Sequence, residues 1–172
     1  MEQVVLVNDQ NEQIGTSTKE AVHRRDTPLH RGFSVFLFNS KKELLLTQRA
    51  ETKATFPGIW TNTVCGHPAP GETSVEAAYR RLKEELGLTV LDIKEVSLYR
   101  YRFTDQNGIV ENEICPVLIA KSDAYPAPNP REIAAWKWAP WTSFLEEIKA
   151  APTKFSPWCS EEAILLQQTG FV

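Results

Sequence analysis

Three histidines, a cysteine and two carboxylates stand at spacings that could do chemistry. His23, His30 and His67 are the only histidines in 172 residues. His23 and His30 flank one polar loop, HRRDTPLHRG, and His67 follows Cys65 at i+2; none falls in an apolar stripe. In the stretch GIVENEICPV, a strand period of two puts Ile109, Glu111, Glu113 and Cys115 on one face. Two carboxylates side by side on a strand repel each other and cost stability unless something positive meets them. Two readings stay open. Glu111 and Glu113 form an exposed polar edge, or they join the three histidines around a divalent cation. Three imidazoles and two carboxylates leave room for a sixth ligand and suit manganese, zinc or iron better than calcium.

Cys65 also has two readings. A cysteine in a strand is commonly a small buried hydrophobe, whereas one sharing a face with a histidine can be reactive. Nothing nearby resembles an oxyanion arrangement, which disfavours a protease-like Cys–His pair. Cys115 and Cys159 read as structural. Downstream, Gly66, Glu72, Arg80, Leu82, Glu84, Glu85, Gly87 and Leu88 follow a fixed pattern over 23 positions that resembles the Nudix box. Such a helix gathers carboxylates beside a loop, where they can hold magnesium against a diphosphate. The alternative is a salt-bridged solvent face, since Arg80/Glu84 and Arg81/Glu85 are i,i+4 pairs. Nudix hydrolases carry a glutamate directly after the box arginine. Arg81 stands there in this chain, and the reversed charge disfavours ordinary diphosphate hydrolysis.

The elements that must position these groups follow from pattern. Gln3–Val7 reads as a strand ended by the turn-rich NDQN, and residues 18–24 as a short helix with Thr18 as N-cap. Phe33–Phe38 is apolar on both parities, the mark of a strand covered on both faces. After a turn, Glu43–Arg49 returns as a strand, residues 50–58 form a loop and residues 60–65 a third strand. Thr73 and Glu76 have capping-box spacing and Gly87 stands at a helix stop, with Val75, Ala78, Leu82 and Leu86 as the apolar stripe. Residues 96–103 and 109–120 make a hairpin around DQNG, and residues 133–139 a further strand. Thr142 caps a helix to about Ala150, and Pro157–Thr169 forms another before Gly170. Strands and helices without regular alternation predict an α+β fold, a mixed β-sheet sandwiched by α-helices, in one domain over residues 1–172.

Taken together, the His23/His30 loop, TNTVCGHP, the altered box, YRYRFTD, GIVENEICPV and FSPW resemble the type I isopentenyl diphosphate isomerase family, which has the Nudix fold; the resemblance runs from about Val4 to Trp158. It implies that the chain interconverts isopentenyl and dimethylallyl diphosphate. His23, His30, His67, Glu111 and Glu113 would bind one Mn2+, Mg2+ or Zn2+. Cys65 and Glu113 would be the acid/base pair on opposite faces of the substrate, with Tyr101 assisting. Glu85, helped by the Cys65 carbonyl, would hold a second Mg2+ on the substrate diphosphate. Lys19, Arg49, Lys53 and Arg81 match the family's diphosphate-contacting cations, which gives Arg81 a purpose. Trp158 matches the aromatic over the hydrocarbon end. A Nudix hydrolase and a non-catalytic diphosphate-binding module are the competing readings.

Composition narrows the setting. Hydrophobic and charged fractions of 42% and 24% are ordinary for a globular protein. A net charge of −3 supplies no general field for nucleic acid or acidic lipid. No apolar run is long enough to span a bilayer, and no signal-peptide pattern opens the chain. Three cysteines do not suggest a disulfide framework. The expectation is a cytoplasmic monomer or weak dimer acting on a small isoprenoid diphosphate, with no nucleic-acid or membrane partner.

Overall fold

The computed structural model of the protein describes residues 2–170; Met1, Phe171 and Val172, the ends of the expected 1–172 domain, lie outside the described residues. In chain order the strands are β1 (Gln3–Val7), β2 (Gln13–Thr18), β3 (His30–Arg31), β4 (Phe33–Phe38), β5 (Glu43–Arg49), β6 (Trp60–Thr61), β7 (Val64–Gly66), β8 (Ile93–Thr104), β9 (Val110–Lys121) and β10 (Ile133–Pro140). The helices are α1 (Lys19–Val22), α2 (Ser74–Leu86), α3 (Trp141–Ala150) and α4 (Pro157–Thr169). The sheet path runs β10–β5–β4–β9–β3–β1–β2, with β6 on β5, β7 on β4 and β8 on β9. β9 is parallel to β3 and β4, while the other pairings are antiparallel, so the sheet is mixed. Among the described residues no helix is long and apolar enough to cross a membrane.

All six side chains of β4 are buried because both faces of the strand are covered. Phe33, Val35 and Leu37 pack with Ala77, Ala78, Leu82 and Leu86 of α2. Phe36 and Phe38 share the opposite core with Phe144 and Leu145 of α3 and with Trp158, Ala163 and Leu166 of α4. The expected sheet between helices is therefore the observed one. The caps of α2 are also as expected. Thr73 Oγ1 accepts from Glu76 N at 3.2 Å, and Glu76 Oε2 accepts from Thr73 N at 2.8 Å. Gly87 takes the left-handed φ of 64° that closes the helix.

Four local expectations need correction. Residues 60–65 are not one strand. β6 pairs with β5 and β7 with β4, and between them Asn62 Nδ2 donates to the Val35 and Val64 carbonyls at 3.1 Å. Side chains replace the ladder there, letting the strand switch partners and aim Cys65 inward. α3 begins at Trp141 after Pro140, with no side-chain cap from Thr142. The chain passes straight from β10 into the helix, and Trp141 N–H goes to the Lys42 carbonyl at 3.3 Å. Thr18 sits at the N-cap of α1, yet its side chain makes no capping bond. Finally, β2 was not expected. Its QIGTST has no strand-like apolar pattern and is ordered by antiparallel pairing along β1.

Candidate active site

β9 places Glu111 and Glu113 on one face, opposite Phe103 and Tyr101 of β8. β3 sets His30 directly beside Glu113. His23 ends α1 and His67 follows β7, so four separate elements deliver one cluster. One ligand atom from each of His23, His30, His67, Glu111 and Glu113 lies within 4.8 Å of all the others. That span is about twice a metal–ligand bond of ~2.0–2.3 Å, the distance between opposite vertices of a coordination sphere. The polar-edge reading of Glu111 and Glu113 fails, because both are buried.

The donors are prepared for a cation. His23 Nδ1 contacts the Lys19 carbonyl at 3.1 Å and His30 Nδ1 the Pro28 carbonyl at 2.9 Å. Each carbonyl can only accept, which fixes the proton on Nδ1 and leaves the Nε2 lone pair for the cluster. Both Nε2 atoms, His67 Nδ1 and Glu111 Oε2 are buried without a hydrogen-bond partner. His23 Nε2 is 3.0 Å from Glu111 Oε2 and His30 Nε2 is 3.5 Å from Glu113 Oε1, close but without hydrogen-bond geometry. Burial pushes His67 down to about 4, so it is a neutral imidazole at pH 7. Burial would raise Glu113, but the adjacent His30 and His67 imidazoles outweigh it and hold the carboxylate well below its usual range; His67 Nε2 lies 3.1 Å from Glu113 Oε1. Glu111, hydrogen-bonded by Thr55, is likewise held low through His23 despite burial. Neutral imidazoles, ionised carboxylates and orphaned donor atoms fit a divalent ion.

Beside this cluster lies a cavity of about 170 Å³ lined by Cys65, Tyr101, Glu113, Trp158, Lys19, Arg49 and Lys53 among others. A larger cleft of about 480 Å³ beside Phe38 and Asp123 lacks any histidine or cysteine, so chemistry and not volume selects the site. Cys65 Sγ receives a hydrogen bond from Trp158 Nε1 at 3.3 Å and donates to Asn62 Oδ1 at 3.1 Å. Burial pushes its thiol up to about 12, so it carries its proton at neutral pH. Tyr101 OH donates to Glu113 Oε2 at 2.9 Å. Burial, reinforced by the Glu113 charge, lifts its phenol well above the ordinary range, so it stays a donor. Trp158 stacks on Tyr101 with ring centres 5.9 Å apart, meets Phe56 edge-on at 5.0 Å, and has the Arg49 guanidinium 5.7 Å from its ring.

Arg81 and Glu85 do not line this cavity. They form a buried pair at 2.7 Å on α2, and Arg81 also reaches Glu132 at 3.3 Å. Glu132 in turn pairs with Lys53. Burial works against the Arg81 charge, but Glu85 and Glu132 more than offset it. The solvent-face reading of the box fails for this pair. It holds for Arg80, whose guanidinium joins Glu72 at 2.7 Å and approaches Glu84 at 3.5 Å at the surface.

A NUDIX domain model matches residues 28–159. An isopentenyl-diphosphate Delta-isomerase of Saccharopolyspora erythraea is 54% identical over 171 residues, 99% of this chain and 88% of the relative. The chain belongs to the isopentenyl-diphosphate Delta-isomerase family. A further relative of that name, from Salmonella typhi, is 44% identical over 163 residues, covering 94% of this chain and 90% of its own length. Among solved structures, DR0079 from Deinococcus radiodurans aligns with a TM-score of 0.76 at 25% identity over 94% of this chain and 97% of that one. A MutT protein from Methanosarcina mazei Go1 gives 0.70 at 19% identity over 86% and 99%, a likeness of fold alone.

Within this isopentenyl-diphosphate Delta-isomerase family member, several neighbours of the site were not singled out from the sequence. Glu132 ties two of the expected substrate cations together from a loop-strand junction. Asn62 and Thr55 look like ordinary strand and loop polars until the fold turns them on Cys65 and Glu111. The TNT that precedes Val64 could have flagged Asn62, because an asparagine inside an apolar strand must find partners.

Proposed function

We propose that the chain, as one domain, interconverts isopentenyl and dimethylallyl diphosphate by adding a proton to the alkene on one face and removing another from the opposite face. The reading rests on one observation above all: Cys65 and Glu113 open on the same cavity, which Tyr101, Trp158, Lys19, Arg49 and Lys53 also line. Protonating an unactivated alkene yields a tertiary carbocation that water would trap at once, so the pocket must exclude water. Buried Trp158 and Tyr101, with half-buried Phe56 against Trp158, do that, and an aromatic face stabilises a desolvated cation by on the order of 1–2 kcal/mol. With the thiol protonated and the carboxylate ionised, one group can give a proton while the other takes one in a single turnover. Tyr101 holds Glu113 Oε2 and keeps the carboxylate oriented. The cations Lys19, Arg49 and Lys53 hold the diphosphate and so fix the hydrocarbon end between the two proton-transfer groups, while Arg81 stands behind them, linked to Lys53 through Glu132. Bound metal, as Mn2+, Mg2+ or Zn2+ among the histidines, would lower the proton affinity of Glu113, whereas a Mg2+ on the diphosphate would reach Glu85 only if its pair with Arg81 opened.

The test is incubation with a divalent metal and isopentenyl diphosphate in deuterated water. Deuterium-labelled dimethylallyl diphosphate is the expected product. Free phosphate would assign a hydrolase, and unchanged substrate a binding module. Cys65→Ala and Glu113→Gln should each reduce isomerisation by at least ~10³-fold while the protein still folds, in line with loss of an acid/base group and its positioning. Near-normal turnover by folded Cys65→Ala would overturn the assignment.

A further inference from the structure

Glu162 is fully buried, and neither oxygen of its carboxyl has a hydrogen-bond partner. It lies on α4 one turn after Trp158 and on the same face of the helix, since residues four apart stack there. The groups facing it are the Ser34 hydroxyl of β4 and the Cys115 thiol of β9. Ser34 Oγ is in turn 3.6 Å from Cys65 Sγ and 3.4 Å from Cys115 Sγ. A carboxyl in such a place weakens the fold, and a hydrophobe of similar size there is commonly neutral or stabilising. Stability therefore does not account for it. The proton-transfer chemistry described above does not use it either.

We propose that Glu162 is a positioning residue for the isomerisation: its carboxyl orients the Ser34 hydroxyl, which fixes the Cys65 sulfur against the substrate cavity. The inference rests on the acid/base role proposed for Cys65. The Ser34 hydroxyl of β4 touches the Cys65 sulfur of β7 on one side, and on its other side the unpartnered Glu162 carboxyl of α4 is the buried group available to it. Burial pushes the Glu162 carboxyl up to about 8, so at neutral pH it carries a proton that it can donate to Ser34 Oγ. Ser34 is then left with its own proton to direct at sulfur. On its other sides Cys65 is held by Trp158 Nε1 and Asn62 Oδ1. Ser34 supplies the third contact, so the sulfur has one orientation instead of several. An amide at position 162 can donate the same hydrogen bond; a hydrocarbon cannot.

The experiment compares Glu162→Leu, Glu162→Gln, Ser34→Ala, the Glu162→Leu/Ser34→Ala double variant and Cys65→Ala, each loaded with metal. Glu162→Leu should lower kcat about tenfold or more, the effect of one misplaced hydrogen bond at a reacting group. Its KM should stay within about twofold and its Tm should be equal or higher. Glu162→Gln should restore most of kcat. Ser34→Ala should lose as much as Glu162→Leu, and the double variant should lose no more than either, because both interrupt one relay. Wild-type kcat in folded Glu162→Leu or in Ser34→Ala overturns the proposal, and so does a fully additive double variant. Equal loss in Glu162→Gln overturns it too, by making ionisation rather than orientation the requirement. If Glu162→Leu does not fold, Ser34→Ala and Glu162→Gln still decide. Full turnover by Cys65→Ala would instead refute the underlying assignment. A dead Cys65→Ala beside an unaffected Glu162→Leu would refute the relay alone.

Discussion

Removing the divalent ion should destabilise the fold by an amount the site itself sets. A buried polar atom without a partner costs ~1–3 kcal/mol. Three such atoms belong to the cluster: His23 Nε2, His30 Nε2 and Glu111 Oε2. The relief available to a bound ion is thus on the order of several kcal/mol. Occupancy decides how much of it a melt reveals, and free ion at 100 times Kd contributes ~2.7 kcal/mol. For a chain of this size each 1 kcal/mol moves Tm by ~2–4 °C. Metal-loaded protein should therefore melt about 5–10 °C above the chelator-treated form. The assay is calorimetry across a manganese or zinc titration, with bound metal counted by mass spectrometry. His30→Ala, which removes a completely buried ligand, should weaken metal binding by ~10–100-fold and lose most of the shift. The pH dependence has a definite sign. Burial lowers His23, but Glu111 outweighs burial and raises it above 6.5, so protons begin to compete for this ligand near neutrality. The metal-dependent shift should be largest near pH 8 and shrink toward pH 5.5. A shift under ~1 °C at saturating metal, or a full shift in His30→Ala, would refute the reasoning.

Other perturbations have equally definite outcomes. Tyr101→Phe deletes the donor to Glu113 Oε2, a hydrogen bond to a charged group of ~1.5–3 kcal/mol, so kcat should fall about 10–100-fold with little change in KM. Arg81→Ala leaves Glu85 buried without its partner; denaturant titration should show a loss of ~3–5 kcal/mol, and equal stability would mean the pair is solvated. Thr73→Ala removes one half of the capping box and should cost ~1 kcal/mol in the same measurement. Glu162, raised from an unfolded value near 4.5 to about 8, binds its proton more tightly in the fold. Stability contributed by that proton is complete below the unfolded value and is lost as pH rises through the folded one. Between pH 5 and 8 wild type should lose roughly 3–4 kcal/mol relative to Glu162→Gln, at ~1.4 kcal/mol per pH unit. Parallel stability curves for the two proteins would contradict this.

The chemistry-bearing residues were legible because each obeys a local rule. Glu111 and Glu113 share a strand face by period two, and the structure keeps them together beside Tyr101. α2 starts at its capping box and stops at Gly87 because those signals lie in adjacent residues. Elements defined by partners were not legible. The polar β2 exists only as a mate for β1, and the split between β6 and β7 depends on Val35 and Val64 offering carbonyls to Asn62. Thr142 had a good capping residue's chemistry, but the preceding strand carried the chain past it.

Sequence by itself determined the inventory of the site: three histidines, a paired-carboxylate strand, a cysteine at i+2 from His67, and a box helix with an arginine where a hydrolase has glutamate. These are choices of residue type at short spacing, and short spacing is translated into a shared face by backbone periodicity alone. Tertiary structure decided which of those groups meet, and in what state. His23 and Glu111 are 88 positions apart in sequence, yet the sheet brings them to 3.0 Å. The same burial leaves His67 neutral, Cys65 protonated and Glu162 holding its proton. Desolvation depends on what packs around a group, and most of what packs around these comes from distant parts of the chain. The box helix illustrates both halves. Its pattern is local, but only the fold turns Arg81 and Glu85 inward as a buried pair and leaves Arg80 and Glu84 at the surface.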